Sequence, residues 1–180
     1  MRITTLLITS AATAACAAIG GLASGPAVRS DWYEHLHKPP YQPPRQVFPA
    51  VWPALYTDIA VVSAATLDSL GARNADGERR AYQGALAANL ILNSAWSWVF
   101  FNRRNLGGAV LLSAGLTASS ADLTRRSITV LGPRAAPLAL YPLWCSFATV
   151  LSTGIWRRNR RRQTQRLRGG GAFGVTQAFA

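Results

Sequence analysis

The side chains in this chain that are equipped for chemistry are mostly aromatic rings and amides. Between residues 82 and 101, Asn89, Asn93, Trp96 and Phe100 fall at i, i+4, i+7 and i+11, which places all four along one face of a helix. Trp52, Tyr56 and Ile59 mark a second such face, and Trp144, Ala148, Leu151 and Ile155 a third. Aromatic stripes ordinarily pack a core, but a buried amide in an apolar helix needs partners and is a costly filler. Three aromatic faces with amides around one bundle would line an apolar pocket for a flat ligand, oriented by a few polar groups. Hydrolytic chemistry has no visible constellation. There is no G-x-S-x-G, Walker loop or H-E-x-x-H, and no acidic pair at helical spacing within an apolar stretch. An acid/base enzyme of a standard type is therefore not expected. His35 and His37, near Asp31 and Glu34, supply two metal ligands without a defined third, so they read as a solvated loop pair and no metal is expected. Asp58 sits well inside an apolar stretch, as a proton site, a cation counter-charge or a carboxyl bonded to a neighbouring helix. The last is expected, because no second acid shares its depth.

Those faces need helices to carry them, and five apolar stretches are long enough to span a bilayer, which takes about 20 helical residues. They are Ile3 to Ala23, Phe48 to Leu70, Tyr82 to Phe101, Leu106 to Leu123 and Ala135 to Trp156. Gly, Pro or charge punctuates each connection. Ala, Ser, Thr and Gly are frequent inside the spans, which favours helices packed closely on one another. The expected fold is all-α, a five-transmembrane-helix bundle over residues 1–159, followed by a basic, Gly-rich tail over 160–180 that is expected to be disordered. Arg2 followed by an apolar, Ala-rich run also fits a secretory signal peptide; retention is the reading here, since removal leaves only four spans. Gly21 and Gly25 form a G-x-x-x-G at a span end, a weak pairing signal, while Gly84 with Ala88 and Ala81 with Ala85 give the third span a better small-residue face.

Composition supports this layout. Apolar residues make up 49% and charged residues 14%, yet the formal charge is +12, so the charge must be segregated from the apolar part. Seven of the nineteen basic residues lie between Arg157 and Arg168. A nucleic-acid module would interleave its cations with aromatics on a folded face, whereas here they gather at the ends of apolar segments. With five spans the termini lie on opposite sides, and twelve basic residues against seven place the C-terminal tail in the cytoplasm. Cys16 and Cys145 lie in apolar windows far from any Cys or His partner and read as small packing residues.

The loop ahead of the second span completes the set. From Trp32 to Tyr56 the chain reads WYEHLHKPPYQPPRQVFPAVWPALY, with prolines at 39, 40, 43, 44 and 49 that fix φ and remove backbone donors. Such a stretch is a shaped, extended loop, suited to a lid over an apolar ligand or to an interfacial aromatic belt. Its position between the first two spans favours the lid, with Trp32 and Tyr41 mainly interfacial.

Together, WYEHLHKPPYQPP leading to FPAVWPALY, NLILNSAWSWVFF in the third span and PLWCSFATVLSTGIWRRN in the fifth resemble the TspO/MBR family of tryptophan-rich sensory and translocator proteins. The resemblance implies an integral, multi-pass membrane protein, usually a homodimer, that binds porphyrins such as protoporphyrin IX and, in some members, cholesterol and synthetic drug ligands. A bacterial cell membrane is expected. It implies ligand contacts from Tyr33, Pro43 and Phe48 in the loop, Trp52 and Tyr56 in the second span, Asn93, Trp96 and Phe100 in the third, and Trp144 and Ala148 in the fifth. Porphyrin is then a ligand, and no intrinsic cofactor is expected. The function implied is to regulate, sequester or move a tetrapyrrole. Trp52 and Trp144 resemble the pair associated with light-dependent porphyrin breakdown in some bacterial members, so the first alternative is a porphyrin-degrading enzyme with those two as catalytic residues. The second is a carrier for porphyrin or sterol-like ligands. The chain departs from the family at ATVLSTGIWRR, where Thr153 and Gly154 replace the tyrosine of the mammalian cholesterol motif, and at Asp58, which has no family role.

Overall fold

The computed structural model describes the backbone of residues 1–170 and the side chains of residues 1–160. Among them there are helices and no strand. The order is α1 (Ile3–Ala27), the short α2 (Asp31–Glu34), α3 (Val47–Ala72), α4 (Asp76–Ser97), α5 (Leu106–Leu131) and α6 (Leu140–Gly170). A π-helical turn, Trp98–Asn102, ends α4, and a 3-10 segment, Gly132–Ala139, joins α5 to α6.

The five long helices form the expected all-α bundle. Four continuous helical runs are long and apolar enough to cross a membrane, and the last, Leu106–Arg160, is 55 residues long because it contains both α5 and α6. These two are antiparallel: Thr124 bonds the Leu138 carbonyl at 3.2 Å, Thr117 lies 3.0 Å from Thr149, and Gly107 faces Trp156. Gly132, at φ 63°, ends α5 in a conformation that side-chain-bearing residues adopt at a cost, and Pro133 and Pro137 hold the 3-10 turn that reverses the chain.

Several boundaries differ from expectation. Helix α4 begins at Asp76, ahead of the expected Tyr82, because Asp76 and Glu78 in its first turn complement the helix dipole. Helix α5 runs past Leu123 to Leu131 because Asp122 pairs with Arg125 and Arg126, both at 2.6 Å, and so carries charge on a helical surface. Helix α6 continues to Gly170, so residues 160–170 of the segment expected to be disordered carry helical backbone; their Arg, Gln and Leu are good helix formers. Residues 171–180 of that tail lie outside the described residues. Helices α3 and α5, 26 residues each, are ~39 Å long and exceed a hydrocarbon core of ~30 Å.

Close packing comes from small and hydroxyl-bearing residues. Ala64, Ala109, Ser63, Thr66 and Ser120 are essentially sealed from solvent. Tyr82 of α4 bonds Ser63 of α3 at 3.1 Å and Ser127 of α5 at 2.9 Å, and Thr9 of α1 donates to the Ala60 carbonyl of α3 at 2.9 Å. In an apolar medium such bonds and close van der Waals contact replace the hydrophobic drive between helices. The result is a closely packed frame that borders an aromatic cavity.

Candidate functional site: an aromatic cavity under the proline loop

A cavity of about 740 Å³ lies under the proline loop, between α1, α3, α4 and α6. Two stacked ring pairs form its sides: Trp52 with Tyr56 on α3, centroids 5.4 Å apart, and Trp96 with Phe100 on α4, 5.2 Å apart. Each pair follows from helical spacing of four residues. Phe48 and Tyr33 add walls from the loop side, and Ala148, Leu151 and Ile155 line it from α6. Arg29 and Arg45 bring two cations to its loop end.

The loop is built and anchored by local rules. Ser30 caps α2 by accepting the Tyr33 N–H at 3.4 Å, and the Gln42 and Val47 N–H groups close turns onto the Pro39 and Pro44 carbonyls, each at 3.0 Å. Arg45 donates to the Val28 carbonyl, tying the loop to the end of α1. Asn159 of α6 accepts the His37 N–H and donates to the His37 carbonyl, both at 3.2 Å, and Tyr41 donates to the Val150 carbonyl at 3.4 Å. A Cβ at Gly154 would collide with the Tyr41 hydroxyl and sit 3.3 Å from Pro39. The glycine that stands where the cholesterol motif has its aromatic region is thus the seat for the loop.

Tyr33 is buried beneath this loop, with the Lys38 ammonium 4.1 Å and the Arg45 guanidinium 5.8 Å from its ring centre. Burial pushes its hydroxyl above the usual tyrosine range, partly offset by Arg45 and Gln42, so it stays a neutral phenol. Burial, reinforced by Arg45 and opposed by Glu34, lowers the Lys38 ammonium below its usual value.

Polar groups inside the bundle form a chain. Tyr56 donates to Asn93 at 3.0 Å, Asn93 to Tyr141 at 3.2 Å, Tyr141 to Asn89 at 2.8 Å, and Asn89 to Ser119 at 3.2 Å. The amides expected on a ligand-facing stripe are therefore bonded to protein. Asn93 still borders the cavity, whereas Asn89 does not. Two other buried groups on the cavity wall lack a hydrogen-bond partner among the described residues: the Trp96 indole nitrogen and the Gln42 carbonyl oxygen. Buried polar atoms are rarely left so, and these two have hydrogen-bonding capacity to offer at the cavity wall.

Of the residues expected at the site, Tyr33, Phe48, Trp52, Tyr56, Asn93, Trp96, Phe100 and Ala148 surround this one cavity, and Pro43 and Trp144 do not line it. Trp144 packs edge-on against Phe48, itself a lining residue, at 5.8 Å and lies 5.5 Å from Phe147. Asp58 neither lines the cavity nor bonds a neighbouring helix among the described residues. Helix α3 packs through Leu55, Ile59, Val62, Ser63 and Thr66, which leaves Asp58 on the flank beside exposed Ala54, Thr57 and Val61. The wall contributed by α1 was not anticipated. Gly21, Ser24 and Gly25 line it, and a Cβ at either glycine would meet open space. The G-x-x-x-G was visible in sequence, but nothing in its spacing distinguishes a cavity wall from a helix-pairing face.

Comparison with known proteins agrees with this architecture. Residues 9–157 match the TspO/MBR family model. The translocator protein of Ovis aries is 34% identical over 138 residues, covering 75% of this chain and 79% of that protein. Protein CrtK of Rhodobacter capsulatus is 29% identical over 147 residues, 81% of this chain and 87% of that protein. The tryptophan-rich sensory protein of Cereibacter sphaeroides is 34% identical over 82 residues, 44% of this chain and 46% of that protein. With a family match over most of its length and helices suited to crossing a membrane, the chain is an integral membrane protein that belongs to the TspO/MBR family.

Proposed function

We propose that this protein binds a tetrapyrrole of the protoporphyrin IX type in the aromatic cavity, and so regulates, sequesters or moves porphyrin. The observation that carries the reading is the pairing of two stacked aromatic walls with two cations at one end of a cavity of about 740 Å³. That volume is within the usual range for a drug-sized ligand, ~300–1,000 Å³. A porphyrin is a flat apolar disc with acidic substituents on one edge, which suits faces of Trp52 and Trp96 on either side and Arg29 and Arg45 at the loop end. The supporting test is a titration of tryptophan fluorescence with protoporphyrin IX in the dark. Saturable quenching is expected, and its absence sinks the reading.

A second reading, light-dependent degradation of the bound ring with dioxygen as oxidant, is favoured by one observation: two oxidisable indoles, Trp52 and Trp96, border the same cavity. Trp144 packs against Phe48 and does not line the cavity, so it is less well placed for it than the resemblance implies. Illumination separates the two readings. Loss of the porphyrin absorbance band in light, abolished by Trp52→Phe with dark binding retained, supports degradation; a stable band supports binding alone.

A further inference from the structure

The aromatic cavity is not sealed from the side. Gly21 of α1 and Pro49 and Pro53 of α3 line it and are themselves exposed, so it opens between these two helices near the loop end of the bundle. The opening follows from a change of partner along α1. Its first half is bonded to α3: Thr5 donates to Asp68 at 2.6 Å and Thr9 to the Ala60 carbonyl at 2.9 Å. The Cys16 thiol, 3.8 Å from the Tyr56 hydroxyl, is the last such link among the described residues. Beyond it α1 leans on α4 and the turn that ends α4. The Trp98 indole donates to the Ile19 carbonyl at 3.2 Å, and a Cβ at Gly20 would stand 3.2 Å from the Ser97 hydroxyl. A Cβ at Gly21 or Gly25 would meet no protein atom within 4 Å, which is the same gap seen from α1.

This opening faces hydrocarbon. Ile19 and Leu22, 44% and 71% exposed, mark the same stretch of α1 as lipid-facing, and both lie inside a helix long and apolar enough to cross a membrane. Behind the opening stand the rings of Trp52, Tyr56, Trp96 and Phe100. An unfilled space against such walls forfeits van der Waals contact. Water needs about two to four polar partners in such a place, and the Tyr56 hydroxyl and Asn93 amide are already bonded to each other and to Tyr141. An acyl chain needs no polar partner, and in a bilayer it is the molecule already at the opening.

We propose that a phospholipid acyl chain from the surrounding leaflet enters between α1 and α3 and occupies the aromatic cavity, its headgroup remaining at the membrane surface. This occupancy goes beyond porphyrin binding and does not depend on it, so the test contains no porphyrin. Full-length protein is reconstituted in nanodiscs of phosphatidylcholine, a fraction of which bears a photoactivatable diazirine on one acyl chain, and the adducts formed on irradiation are mapped by mass spectrometry. Ile91 and Leu111 are exposed and do not line the cavity, so they report lipid around the bundle. Asn93, Ser97 and Phe100 are buried and line the cavity, so adducts on them require a chain inside it. Adducts at both sets are expected in the wild-type protein. Gly21→Leu with Gly25→Leu narrows the opening, and is expected to lose the buried set while keeping Ile91 and Leu111. Gly84→Leu, at an exposed position of α4 that does not line the cavity, is expected to keep both. Adducts at Ile91 and Leu111 without the buried set in the wild-type protein overturn the proposal, as do undiminished buried adducts in a folded Gly21/Gly25 variant. If that double variant loses its helical circular dichroism, the wild-type map and Gly21→Leu alone decide.

Discussion

Trp96 is both a wall of the aromatic cavity and the bearer of a buried donor with no partner among the described residues. Its replacement by phenylalanine keeps a ring to stack on Phe100 but removes that N–H together with part of the indole's bulk. An unsatisfied buried donor is destabilising by ~1–3 kcal/mol. Relief of that donor offsets the packing lost with the smaller ring, so Trp96→Phe is expected to change the ligand-free melting temperature little while weakening porphyrin affinity several-fold, as read by dark titration. Tyr141 behaves in the opposite way. It is fully buried, accepts from Asn93 and donates to Asn89. Tyr141→Phe strands one donor and one acceptor, and is expected to lower stability by about 1–2 kcal/mol in detergent unfolding without removing any cavity-lining side chain. Much of this site was legible residue by residue, because stacking at i, i+4 is a property of helical spacing alone. The hidden part was which polar group is spoken for. Asn93 and Trp96 share a face, and only the positions of Tyr56 and Tyr141 on other helices decide that the amide is bonded and the indole is not.

At the scale of elements, the proline loop matters through its attachment to α6. Tyr41, Pro39 and His37 dock on Val150, Gly154 and Asn159, and Gly154 leaves no room for a side chain beneath the Tyr41 hydroxyl. Gly154→Leu is expected to lift the loop and to speed amide hydrogen exchange and proteolysis across residues 36–45, while the helices keep their protection. Unchanged exchange in that segment contradicts the docking role. The five long helices were legible because apolar length is a direct signal, and the loop because prolines at 39, 40, 43, 44 and 49 leave it few conformations. Helix ends were less so. The extension of α5 to Leu131 depends on Asp122 folding back to Arg125 and Arg126, and the wall from α1 depends on glycines that carry no hydrophobic signal at all.

At the scale of the whole molecule, the aromatic cavity lies at the loop end of the bundle, with the cations Arg29 and Arg45 among its lining residues. The closely packed, hydroxyl-stitched frame borders that cavity, and α1 gives it a glycine-lined face. That face gives the most direct test of the account, because Gly21 and Gly25 line the cavity and a Cβ at either would have no protein atom within 4 Å. The measurement is the dark affinity for protoporphyrin IX of the Gly21→Leu, Gly25→Leu double variant against wild type, with helical circular dichroism and melting temperature as the folding control. The account predicts saturable binding by the wild-type protein and at least ~tenfold weaker binding by a folded variant whose cavity is filled. Undiminished affinity in that folded variant would contradict it.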